Sequence, residues 1–191
     1  MGLHGMISPY ELLVGLALLR EKKRLDNGAQ QGQKPLEAWT GLLVRIGSTQ
    51  CVIRQDEVDE VIPPTGLTKV LGMPPWMLGV GYFRGQLLNV IDAQSFFFGK
   101  RHSIVSPASR ILVVQGQEEW FGLRIDELGG IRYIWSDSTS ITLISEDMEH
   151  WKGYVEQCIE VEHEIIPMLQ VKRLMDSFEQ RGIPDNDAVN T

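Results

Sequence analysis

The chain has 191 residues, of which 43% are hydrophobic and 23% charged, with a formal net charge of -7. That length fits one domain, or two small ones sharing a core, and the apolar fraction is enough to build that core in a soluble protein. An acidic surface repels phosphate backbones, and no basic run with interleaved aromatics offsets it, which argues against nucleic acid as a partner.

Ser8 to Leu25 read as an amphipathic helix. Ser8 can cap it, Pro9 suits the first helical position, and Glu11 stands three residues after Ser8 to complete a capping box. Tyr10, Leu12, Leu13, Leu16 and Leu19 supply an apolar face. Lys22-Lys23-Arg24 fall near the carboxyl end, where the helix dipole favours cations. The apolar stretch from Leu12 to Leu19 is far short of the roughly 20 residues a membrane span needs, and its charges follow rather than precede it. No direct membrane insertion is expected. Asn27 to Lys34, rich in Gly and Gln, read as a flexible linker.

From Gly41 the texture changes. Leu42 to Ile46, Gly47-Ser48-Thr49 and Gln50 to Ile53 predict strand, turn and strand. An acidic step, Asp56-Glu57-Val58-Asp59-Glu60-Val61, follows and is stopped by Pro63-Pro64. Leu67 to Pro75 form a loop into Gly79-Val80-Gly81-Tyr82-Phe83-Arg84-Gly85-Gln86-Leu87-Leu88-Asn89-Val90-Ile91-Asp92-Ala93. Two β-forming runs flank Arg84-Gly85 there, which predicts a tight hairpin with Gly85 supplying a positive φ. Gly79 and Gly81 leave the first strand thin on one side, suiting a bulge or a close approach by another chain. Arg84 stands at the tip with no evident task in the folded monomer. Asp92 can then cap a short helical turn through Phe96-Phe97-Phe98, closed by Gly99. Lys100 to Pro107 are polar and read as exposed.

The second half echoes the first. Ile111 to Val114, a turn at Gln115-Gly116-Gln117, and Trp120 to Leu123 repeat the opening hairpin. Gly116 answers Gly47, and Asp126-Glu127-Leu128 answer Asp56-Glu57-Val58. Two copies of strand, turn, strand and acidic step predict two small β-barrels side by side. Trp151 to Ile159 and Glu164 to Leu169 predict a late strand pair. Val171 to Gln180 is a helix with Leu174, Met175 and Phe178 on one face. The boundaries read as 1–38 for helix and linker, 39–180 for the folded domain, and 181–191 for a frayed tail. Cys51 and Cys158 lie in apolar runs and read as buried thiols in a reducing cytoplasm.

No constellation for chemistry emerges. His4, His102, His150 and His163 are scattered, and neither His-x-x-x-His nor Cys-x-x-Cys occurs, so no metal site is expected. Glu160, Glu162, His163 and Glu164 cluster, but as a solvated acidic hairpin. There is no phosphate-binding glycine loop and no nucleophile elbow. Asp56, Asp92, Asp126 and Asp137 are not on the parallel α/β strand ends that a phospho-acceptor requires. The sequence predicts no catalytic residue and no cofactor. Small barrels instead offer edge strands and grooves to other chains.

The central hairpin resembles the signature of CheW-like domains, a Gly-hydrophobic-x-Asn-Leu-Arg-Gly hairpin followed by a strand ending in Asp-Leu. Gly79, Val80, Arg84, Gly85, Val90, Ile91 and Asp92 match, and Phe83 substitutes conservatively. Tyr82, Asn89 and Ala93 depart from the usual Asn, Pro and Leu. The likeness runs from about Trp39 to Phe178. It implies a mainly β fold of two five-stranded, SH3-like barrels side by side with a terminal helix. It also implies a non-enzymatic coupling protein between the cytoplasmic tip of a methyl-accepting chemoreceptor and a CheA-like histidine kinase. Val58, Glu60, Val61, Gly79, Tyr82, Arg84 and Gly85 would face partners. The amino-terminal helix and the departures resemble the PilI-type adaptors of type IV pilus twitching motility, cytoplasmic and recruited to receptor arrays. The competing reading is a small-ligand-binding or enzymatic β-barrel whose likeness is confined to the hairpin.

Overall fold

The computed structural model describes residues 38–99, 106–135, 140–141, 151, 153–161 and 164–181. The expected helix at Ser8–Leu25, the linker, most of the polar stretch after Lys100, His102, His150, His163 and the tail from residue 182 lie outside the described residues. The first hairpin is β1 (Ala38–Ile46) and β2 (Thr49–Arg54), turning at Gly47, as its aliphatic runs predict. A 3-10 turn at Gln55–Glu57 leads to the short strand β3 (Glu60–Ile62), which ends before Pro63-Pro64. The central hairpin is β4 (Met77–Phe83) and β5 (Gln86–Asp92), followed by the helix α1 (Ala93–Phe98). Then come β6 (Arg110–Gln115), β7 (Trp120–Ile125), β8 (Glu127–Trp135), β9 (Ser140–Ile141), β10 (Val155–Val161), β11 (Glu164–Leu169) and α2 (Val171–Arg181).

The fold is mainly β. One sheet runs β8-β1-β2-β11-β10-β9, with only two residues in β9, and the other runs β3-β6-β7-β5-β4. The second sheet curls on itself, because Thr68, just beyond β3, exchanges backbone hydrogen bonds of 2.8 and 2.9 Å with Val80 of β4. One of the two features expected of Gly79 occurs there: β4 bulges between Met77 and Gly79, whereas the close approach is not by another chain. The approaching backbone belongs to this chain itself. A Cβ on Gly79 would meet the Thr68 carbonyl oxygen at 2.5 Å, and its φ of +151° favours glycine as well.

Among the described residues, apolar side chains form three clusters. Phe83, Leu88, Val90, Ile111, Val113 and Trp120 fill the second sheet's interior. Val52, Ile134, Ile159 and Met168 do the same for the first. The largest lies between the sheets, where Val44, Ile46, Ile53, Leu112, Phe121 and Ile125 meet both helices. Leu174, Met175 and Phe178 of α2 are buried there as their spacing predicts, and Phe178 stacks on Trp76 with ring centroids 5.1 Å apart. Cys51 and Cys158 are buried, and burial pushes both thiols up.

Asp92 departs from expectation. α1 does close at left-handed Gly99, but the Asp92 carboxylate makes no capping bond to the helix backbone. It is fully buried and accepts Ser95 Oγ at 2.7 Å and Arg124 Nε at 3.0 Å. A charged guanidinium is a stronger claimant on a carboxylate than a neutral backbone amide. The sequence reading also passed over β8, whose Gly129-Gly130 pair and exposed Ile131 and Tyr133 weaken its strand signal.

Candidate functional site: the tip of the central hairpin

The loop joining β4 to β5 is Arg84-Gly85, with φ of +51° and +81°. Two successive positive φ angles make the mirror-image turn whose twist suits a two-residue hairpin. Gly85 adopts it freely. Arg84 is the one non-glycine residue with positive φ among the described residues, and an L-residue there costs roughly 1–2 kcal/mol. Its guanidinium lies over the Phe83 ring, 4.8 Å from the centroid, and donates to Glu60 Oε2 at 3.1 Å. The two side chains are 62% and 46% exposed, so the pair stabilises the fold by only about 0–1 kcal/mol. Its larger effect is orientation. It ties the tip to β3 on the opposite edge of the same sheet and points Arg84 in one direction.

Beside the charge lies an apolar pair. Tyr82 and Leu87 stand directly opposite each other on β4 and β5. Both face solvent, Tyr82 with 81% of its surface exposed. The base beneath them is rigid: Phe83 packs edge-on against Trp120 at 4.9 Å, and Trp120 Nε1 donates to Gln86 Oε1. An aromatic, an aliphatic and an oriented arginine on a firm base are what protein partners bury at the centre of an interface.

Of the seven residues singled out in the sequence, Glu60, Tyr82, Arg84 and Gly85 are exposed, and Glu60 and Arg84 touch. Val58 and Val61 are half-buried and pack against the core between the sheets. Gly79 is covered by Thr68. Leu87 escaped the sequence reading, although adjacent leucines in one strand must face opposite sides and only Leu88 could enter the core. Val70, Leu71 and Met73, exposed on the loop before β4, escaped too, for loops carry no period to read. A separate cleft of about 360 Å³ lined by Trp39, Thr40, Arg54, Gln55 and Asp56 contains none of the seven. Arg54 grips Asp56 through two hydrogen bonds there and holds its carboxyl below the ordinary range. Among the described residues no three His, Cys, Asp or Glu side chains could share a metal ion.

Comparison with known proteins extends the likeness well beyond the hairpin. The CheW-like domain family matches residues 40–179. Protein PilI of Pseudomonas aeruginosa is 31% identical over 133 residues, covering 70% of this chain and 73% of that one. The crystal structure of the scaffolding protein TtCheW from Thermoanaerobacter tengcongensis superposes with a TM-score of 0.63 at 19% identity, covering 77% of this chain and 93% of that one. A likeness of this extent removes the reading in which only the hairpin is shared. The chain belongs to the family of CheW-like domains.

Proposed function

We propose that this chain is a non-enzymatic coupling protein that joins the cytoplasmic tip of a methyl-accepting chemoreceptor to a CheA-like histidine kinase, in the signalling that drives type IV pilus twitching motility. The observation that carries the reading is the hairpin tip, where a strained, oriented Arg84 stands beside the exposed Tyr82–Leu87 pair. Membership of the family and the likeness to PilI support it. Arg84 supplies charge-assisted hydrogen bonds to a partner, Tyr82 and Leu87 supply buried area, and Glu60 sets the arginine's direction. Val58, Val61 and Gly79 contribute by shaping the sheet beneath. The protein works in the cytoplasm, recruited to receptor arrays. Among the described residues no helix is long and apolar enough to cross a membrane.

The test is titration of the intact chain with the receptor tip and with the kinase's regulatory region, each purified. Both bind the parent, and Arg84→Ala weakens binding at least about tenfold while its melting temperature stays nearly unchanged. Equal binding by Arg84→Ala, or binding of neither partner, overturns the docking assignment. Saturable ATP binding competed by ADP overturns the non-enzymatic one.

A further inference from the structure

The order of strands hides a reciprocal exchange between the two halves of the chain, 38–99 and 106–181. The first sheet takes β1 and β2 from the first half but β8, β11, β10 and the two-residue β9 from the second. The second sheet takes β6 and β7 from the second half but β3, β4 and β5 from the first. Apart from that of the two-residue β9 with β10, every strand pairing has its counterpart. β1 and β2 pair antiparallel, as do β6 and β7. β11 runs parallel to β2, and β5 parallel to β7. β8 lies antiparallel to β1, and β3 to β6. Each half then ends in a helix, α1 after β5 and α2 after β11.

The match extends to side chains at the crossing. Asp126 donates its backbone N–H to Arg45 O at 3.0 Å, and its carboxylate accepts Gly47 N–H at 2.6 Å. Asp59 donates its backbone N–H to Val113 O at 2.9 Å, and its carboxylate accepts Gln115 N–H at 2.9 Å. Each aspartate thus clasps the end of the other half's first strand, Asp126 at Arg45 and the following turn residue Gly47, Asp59 at Val113 and Gln115. The structural counterpart of Asp126 is therefore Asp59, three residues beyond the Asp56 that the sequence echo suggests.

Neither half carries a core of its own. The second sheet's interior joins Phe83, Leu88 and Val90 to Ile111, Val113 and Trp120. The first sheet's interior joins Val52 to Ile134, Ile159 and Met168. The cluster between the sheets draws on both halves throughout. The first half alone would leave the hairpins β1–β2 and β4–β5 and a β3 stripped of its neighbour, and the second half the hairpin β6–β7, the run β9–β10–β11 and a β8 stripped of its neighbour; a lone hairpin is marginal in water.

We infer that the molecule is built as two half-units that recognise each other through an obligate, strand-exchanged interface, and that the peptide link between them is dispensable for assembly. Each half is the specific partner of the other, and it is the exchanged pairing that holds the molecule together.

The experiment uses the full chain with a protease recognition sequence in place of residues 100–105. After cleavage, the two fragments are expected to co-elute as one species of parental size. Their joint melting temperature should fall on dilution over about a hundredfold range, whereas that of the uncleaved chain should not, because association has become bimolecular. Separated in denaturant, each fragment refolded alone should give no monomeric cooperative fold; a self-paired symmetric dimer would also support the exchange. Refolded together, they should recover the parental species. In the cleaved protein, Asp59→Ala should raise the fragment dissociation constant several-fold. Three outcomes each overturn the inference: a fragment that folds alone as a monomer, folded fragments that elute apart, or cleaved chains that cannot be reassembled.

Discussion

Arg84 holds a left-handed conformation that costs an L-residue roughly 1–2 kcal/mol. Arg84→Gly removes the strain of the positive φ together with an exposed ion pair of similar small size, so the melting temperature should move by no more than about 3 °C in either direction. Gly85→Ala puts a β-carbon at φ +81°, with nothing to relieve it, and should lower stability by about 1 kcal/mol or more. Thermal melts of the two variants side by side check this contrast. Arg124 is the opposite kind of residue. It is buried on β7 and holds Asp92 at 3.0 Å and Asp126 at 2.9 Å, and Asp126 reaches the turn of the first hairpin. Arg124→Met leaves two carboxylates uncompensated and should cost about 3–5 kcal/mol, read as a shift in the denaturant midpoint. The tip arginine was legible in the sequence because a two-residue turn with glycine has few alternatives. The role of Asp92 was not, because its partner lies 32 residues away on a strand where a charge reads as solvent-facing.

Among the elements, α2 shows how a helix can be plain in sequence while its anchoring is not. Its apolar spacing is explicit, but both ends are fixed by carboxylates at long range. Glu57, in the 3-10 turn, accepts Lys172 N–H at 3.0 Å at the start of the helix. Glu179, near its end, accepts the backbone N–H groups of Gln117, Glu118 and Glu119 in the β6–β7 turn. Those amides hold the Glu179 carboxyl below its ordinary value, whereas burial pushes Glu57 up. The signs differ. Glu179 stabilises the fold above about pH 4.5, and that contribution is lost as pH falls through its lowered pKa. For Glu57 the folded state favours the protonated acid, so its contribution is present below about pH 4.5 and lost as pH rises through its raised value. Glu179→Gln should therefore melt a few degrees below the parent at neutral pH, with the gap closing in acid. Glu57→Gln should gain on the parent as pH rises. Melts from pH 3 to 7 would show the two trends, and parallel curves for parent and variant would contradict either. β8 was illegible for a different reason: Gly129-Gly130 and the exposed apolar Ile131 and Tyr133 mask the alternation that a strand with one face in water would otherwise show.

At the scale of the molecule, the repeated texture of strand, turn, strand and acidic step was readable because each hairpin is local. The exchange between the halves was not. A strand as short as Glu60–Ile62 pairs with whichever edge the crossover reaches, and nothing in its own residues names that edge. The consequence for function is a single body in which Glu60 on β3 and Arg84 on the β4–β5 hairpin meet although 24 residues separate them. The tip is then held by the same sheet that the second half completes, so a partner bound there engages the whole fold. The most direct measurement is co-sedimentation of the kinase with clustered receptor cytoplasmic fragments, with and without this chain. The account predicts that the kinase sediments only when the chain is present, and that Arg84→Ala or Arg84→Gly, folded as well as the parent, fails to bring it down. Kinase that sediments equally without the chain, or with the Arg84 variants as fully as with the parent, would contradict the coupling role.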